Sequence, residues 1–270
     1  MPTPQVQNDP IYTLPVLNIN GLIVSNDATT PNTKLDISAG TARDTNNVMD
    51  IAVGASNANL AGSTIAAPLI IDATTTGANG LDTGSLAAST VYAIYVIADS
   101  RYYHTTAAIA SLATSSAPQL PFGYDSYRLI GYWATDGSSH FVKAYQTGNG
   151  TARTLTYDAA IATAVTVGNS TTYAAVSLAL AVPPVVGTVV SIQSNFNPNA
   201  AGDVLSMQAY GGVGAQVAIF APVAGATAHT VEIDNIVIAQ LNSGVANFSY
   251  KVSAGADAVA LFVAGFNYFV

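Results

Sequence analysis

Fourteen tyrosines and one tryptophan are the residues of this chain with the most chemistry to offer. Tyr102, Tyr103, Tyr124, Tyr127 and Tyr132 fall close to Trp133 in sequence. Each ring has an apolar body and a polar tip, so a cluster of them can serve in two ways. It can anchor a core or a subunit interface, or it can stack against a sugar. A hairpin core or an interface is the plainer reading, and glycan contact the sharper one. A second aromatic group, Phe262, Phe266, Tyr268 and Phe269, falls within "ALFVAGFNYFV" (260–270). Rings of that size are costly to leave in water. The stretch is therefore predicted to be a full strand, packed inside the fold or against another copy.

The other reactive residue types form no recognisable catalytic pattern. His104, His140 and His229 have no partner at metal-ligand spacing. The chain has no cysteine, which removes disulfides, thiolate metal sites and thiol catalysis. No Gly-x-Ser-x-Gly elbow is present. Asp99, Asp125 and Asp136 fall at predicted strand ends or turns, where Asp is favoured for its own backbone bonds. They are not read as the facing carboxylates of a glycosidase. "SNDATTPN" (25–32) and "RDTNN" (43–47) are the nearest approaches to a calcium loop, and both lack its dense oxygen spacing. The glycine-rich "GANGLDTG" (77–84) precedes a strand rather than following one, and it has no lysine. It is read as turn chemistry at Asn79-Gly80 and Thr83-Gly84, not as a phosphate cradle. The expectation is a protein that is not an enzyme and takes no cofactor and no metal ion.

The composition indicates what must position these residues. Of 270 residues, 50% are hydrophobic and only 8% are charged, against about 25% charged in an ordinary soluble domain. Glu232 is the only glutamate, and there are three lysines. Exposed helix faces usually need both residue types. Val, Ile, Thr and Tyr are abundant instead, and they suit strands. The chain is read as all-β. Its net charge is −8 and its seven basic residues are scattered, so no basic stripe is available for nucleic acid. The opening "MPTPQVQNDP" has neither a basic nor an apolar leader region, so no signal peptide is expected. "AVSLALAVPPVVGTVVSI" (175–192) nearly has the length of a membrane span, but Pro183-Pro184 divides it. Two buried strands joined at the prolines are predicted, with no membrane insertion.

Along the chain, residues 1–17 are polar and proline-rich and read as an extended N-terminal arm. Residues 18–147 read as an antiparallel β domain. Its strands include "INGLIVS" (19–25), "TKLDISAGTARD" (33–44), "VMDIAVG" and "TIAAPLIID". "TVYAIYVIA" (90–98) is apolar on both faces and should be central. Asp136-Gly137 predicts a hairpin over 127–146. The texture changes around Gly148-Asn149-Gly150, so 148–158 reads as a linker. Residues 159–270 carry eight short strand-like runs and read as a jelly-roll-like β-sandwich.

"NGLDTGSLAASTVYAIYVIADS" followed by "PQLPFGYDSYRLIGYWATDGS" resembles a region of tailed-bacteriophage virion structural proteins, of tail-fibre or head-decoration type. The shared phrases are Gly-Leu-Asp-Thr-Gly, a Tyr-rich strand, Leu-Pro-x-Gly-Tyr and an Arg-x-Ile-Gly hairpin. The resemblance covers residues 36 to about 146. The C-terminal part is similar in composition and strand spacing to sandwich modules that trimerise in phage fibres and decoration proteins. The resemblance implies a non-enzymatic homotrimeric appendage on the virion surface, a capsid decoration protein, head spike or short fibre. It would dock on capsid or tail subunits through its N-terminal part. The alternative it implies is a tail-fibre tip that binds a host surface glycan or another receptor.

Overall fold

The computed structural model describes residues 17–47, 49–54, 68–99, 106–162, 168–212, 217–220 and 229–270. All structural statements concern these residues. Residues 1–16 of the predicted arm, with Tyr102, Tyr103 and His104, lie outside them.

The described chain is built from strands and one 3-10 turn, Tyr210–Gly212. The first half holds β1 (Ile19–Gly21), β2 (Val24–Asn26), β3 (Lys34–Ile37), β4 (Gly40–Arg43), β5 (Asp50–Val53), β6 (Leu69–Asp72), β7 (Gly80–Leu81), β8 (Val91–Ala98), β9 (Thr106–Leu112) and β10 (Ser126–Ala134). The second half holds β11 (Ala144–Asn149), β12 (Ala152–Ala162), β13 (Ala174–Ser177), β14 (Val189–Asn197), β15 (Val204–Ala209), β16 (Val217–Phe220), β17 (His229–Val237), β18 (Leu241–Asn242), β19 (Val245–Val252) and β20 (Ala258–Phe269). The all-β reading holds.

The strands form four sheets. An eight-stranded sheet runs β17-β14-β20-β12-β11-β2-β3-β6 and draws on both halves of the chain. A sheet of order β10-β8-β9-β7 packs on its inner face through Tyr132 and Tyr268. The smaller sheets are β1-β4-β5 and β13-β19-β15-β16, with β18 added to β19. All eight residues of β8 are buried, as befits a strand between β10 and β9 with both faces covered. Strand β14 alternates buried and half-buried residues, the pattern of one wet face and one dry face.

The predicted linker at 148–158 is corrected by these ladders. Residues 144–162 form an antiparallel hairpin of β11 and β12, paired from Ala144↔Tyr157 to Asn149↔Ala152. Gly148 and Gly150 hold positive φ angles of 111° and 65°. The Gly-Asn-Gly that read as a domain break is the end of a hairpin inside the central sheet. Two smaller corrections follow the same logic. "INGLIVS" is two strands, because Gly21 and Leu22 both take positive φ and turn the chain. The Asp136-Gly137 turn closes through one bridge, Thr135↔Phe141, and β10 then pairs with β8. Strand β11 leaves for the larger sheet.

One side chain joins the layers. Gln146 on β11 is buried. Its Oε1 accepts the Val24 N–H of β2 at 2.8 Å. Its Nε2 donates to the Ile130 carbonyl of β10 at 2.9 Å and to the Tyr268 hydroxyl of β20 at 2.6 Å. A Cβ on Gly131 would lie 2.5 Å from that same Nε2. Gln146→Leu takes this partner from the buried Val24 N–H and Ile130 carbonyl and is expected to cost about 2–5 kcal/mol, since each unsatisfied group costs about 1–3 kcal/mol. Gly131→Ala overpacks the joint and should cost about 1–3 kcal/mol. Urea unfolding checks both, and an unchanged midpoint for Gln146→Leu would remove this residue from its joining role.

Candidate functional site

The Tyr/Trp group near residue 130 does not form a surface. Trp133 is fully buried, and its Nε1–H donates to the Val142 carbonyl at 2.9 Å. Tyr132 is 6% exposed and meets Tyr268 edge to face, ring centres 5.2 Å apart. These two residues are therefore corrected as glycan contacts, because neither ring has a face free to stack. Tyr124 and Tyr127 are half-buried against the core, and the Tyr127 ring stands edge-on to Tyr95 at 5.7 Å. Of the terminal group, Phe266 and Tyr268 are buried with ring centres 5.3 Å apart. Phe262 is half-buried. Phe269 is 71% exposed.

The polar candidates are spent on local structure. Asp136 Oδ1 accepts the N–H groups of Ser138 at 2.8 Å and His140 at 2.9 Å, and His140 Nδ1 lies 3.4 Å from Oδ2. Asp125 accepts the Ser126 hydroxyl at 3.3 Å. Asp99 is half-buried and engaged. In the glycine-rich loop, Asn79 Oδ1 accepts the Ala108 N–H at 3.0 Å, and Asp82 Oδ2 accepts the Ser111 hydroxyl at 2.6 Å. That loop supplies the short edge strand β7, parallel to β9. It is thus more than the turn the sequence suggested. Among the described residues no three His, Cys, Asp or Glu side chains gather as a metal site.

Two arginines are buried and donate to main-chain oxygens. Arg153 Nη2 donates to the Gly21 carbonyl at 2.8 Å, and Arg128 Nη2 to the main-chain oxygen of Val270 at 2.9 Å. Burial lowers the pKa of each guanidinium. Arg153 pins the β1–β2 turn to the central sheet, and Arg128 pins the end of β20 to β10.

One surface open to contact with other molecules is the outer face of the eight-stranded sheet. Register places Gly265, Thr156, Tyr145, Ser25, Asp36 and Ile70 in one row across six strands. A second row runs through Val237, Val189, Asn267, Thr154 and Thr147. Phe269, Ala152 and Asn149 make a third. Ile70, Tyr145, Val237 and Phe269 are exposed by 39%, 53%, 43% and 71%. Lys34 meets Asp72 at 2.9 Å beside Asp36 at the β3–β6 edge. Sequence reasoning missed Tyr145 and Val237. Tyr145 follows the rule that one strand face is wet, but "KAYQTGN" has a Gln, not an apolar residue, on its buried side.

Burial also pushes the hydroxyls of Tyr132 and Tyr268 up to about 12, and that of Tyr157 higher still. Unfolded tyrosines ionise near pH 10. The folded state keeps these protons longer, so the stability they carry is complete below pH 10 and is lost as pH rises toward 12. The urea midpoint is expected to fall between pH 10 and 11.5, less steeply in Tyr268→Phe. A midpoint flat to pH 11.5 contradicts this.

Comparison with protein-family models gives no match, and comparison with curated proteins gives none. Among solved structures, the chain is similar to a carbohydrate-binding module of lichenase 5A from Cellvibrio mixtus, in complex with cellotriose. The identity is 18% and the TM-score 0.23, over 48% of this chain and 87% of that one.

Proposed function

We propose that this chain is a non-enzymatic structural protein of a tailed-bacteriophage virion, a homotrimeric surface appendage that docks on capsid or tail subunits through its N-terminal part. The observation that carries the reading is the outer face of the central sheet. Its Thr, Ser and Asn side chains, with Val237 and Phe269 among them, can be buried against another copy without stripping water from charges. The low charge of the whole chain supports the same use of surface. The resemblance of residues 36 to about 146 to virion proteins supplies the setting.

The full chain is expected to run at three times its 27.5 kDa chain mass in light scattering. A charged pair of substitutions on the proposed contact, Val237→Lys with Phe269→Lys, should yield folded monomer. A monomeric parent chain at micromolar concentration would sink the assembly reading.

A further inference from the structure

The geometry points to a saccharide-binding groove at the other side of the same sheet face, between the β2–β3 loop and the start of β11. The groove has a volume of about 390 Å³, within the range of small-ligand sites. Ser25, Asn26, Asp27, Lys143, Tyr145 and Asp158 line it, with Ala28 and Pro31 as small apolar wall. Val237 and Phe269 lie on other strands of the sheet and take no part.

The loop wall is built to keep its shape. Asp27 Oδ1 accepts the N–H of Thr29 at 2.9 Å, together with the N–H and hydroxyl of Thr30. These bonds, those from Thr30 above all, hold the Asp27 carboxyl below its usual range, so it stays ionised. Asn26 bridges the wall to the floor. Its Nδ2 donates to the carbonyls of Pro31 at 3.0 Å and Val142 at 3.3 Å, and its Oδ1 accepts the Ala144 N–H at 3.0 Å. Asn32 accepts the Phe141 N–H at 2.8 Å. Beside it, the Asp158 N–H donates to the Lys143 carbonyl at 3.0 Å, which ties the two backbone segments together at the groove. Tyr145 is fixed by pairing on both sides, to Ser25 and to Thr156.

This set of groups selects a ligand class. An exposed aromatic ring on a rigid strand offers a flat apolar platform. Around it stand carboxylates that accept from hydroxyls and an ammonium that donates to them, all charge-assisted. A sugar ring presents that combination: an apolar C–H face and a rim of hydroxyls that both donate and accept. An anionic ligand meets two aspartates against one lysine in a chain of net charge −8. A metal ion finds only two carboxylates. A neutral saccharide fits both limits. The site does not depend on the assembly proposed above, and it differs from the tyrosines singled out in the sequence.

The test is an array of neutral and anionic oligosaccharides probed with the full-length chain, followed by calorimetric titration of the best neutral binder. Tyr145→Ala should weaken binding at least about tenfold, the loss of a contact worth about 1.4 kcal/mol. Tyr145→Trp should retain it, and Asp158→Asn should weaken it. Phe122→Ala, at a fully exposed ring elsewhere, should change nothing. The circular dichroism spectrum and scattering mass of each variant should match the parent, which separates loss of the groove from loss of fold or assembly. Absence of any neutral binder, binding confined to anionic glycans, or undiminished binding by folded Tyr145→Ala would each overturn the proposal.

Discussion

The four-way hydrogen-bonded joint at Gln146 is the constraint on which the rest of the structure depends. A sheet made of residues from both halves of a chain has to be held in register with the layer beneath it. Apolar packing alone is poor at this, because it is non-directional. An amide with one acceptor and one N–H₂ group can meet three partners only in one arrangement. Here those partners are the Val24 N–H, the Ile130 carbonyl and the Tyr268 hydroxyl, one from each of three other strands. Gly131 faces this joint because a larger residue would intrude on the amide. Around the joint the interior is aromatic: Tyr132, Tyr268, Phe266 and Tyr157 follow one another in edge-on and tilted contacts. The tyrosine hydroxyls find partners inside, Tyr157 on the Ala181 carbonyl and Tyr268 on Gln146.

Charge is used sparingly and in two distinct ways. The two buried guanidiniums donate to main-chain oxygens and so lock loop ends to strands, with the buried Asp44 near Arg128. One group of charges, Lys34, Asp72, Asp27, Asp36, Lys143 and Asp158, lies near the β2–β3–β6 edge and the groove. Among the described residues, the row through Val237, Val189, Asn267, Thr154 and Thr147 carries no charge. The proposed assembly contact and the proposed saccharide groove would occupy different parts of one sheet face.

Much of the fold was legible in composition and pattern. Scarcity of Glu and Lys with abundant β-branched residues excluded exposed helices, and the strands followed. The doubly apolar run at 90–98 read as central because only a strand covered on both faces tolerates it, and β8 spans Val91–Ala98. Pro183-Pro184 divided an apolar stretch, but β13 and β14 on either side of it lie in different sheets and β13 is only partly buried, so the two buried strands joined at the prolines are not found. The aromatic run at the end of the sequence read as a strand, since so much ring surface has to be covered.

What the sequence did not determine was which strands meet. Gly148-Asn149-Gly150 looked like a break between domains because local glycine chemistry is the same for a linker and for a hairpin end. Only the pairing of β12 with β20 on one side and β11 on the other decides between them. Likewise, a tyrosine beside Trp133 and a tyrosine at 145 are the same residue type in similar strand contexts. Tertiary packing buried Tyr132 against Tyr268 and left Tyr145 in a groove. Strand identity is a local property of side-chain shape and hydropathy, readable residue by residue. Strand order is set by long-range contacts that balance over the whole core, and a single sequence contains no local trace of them.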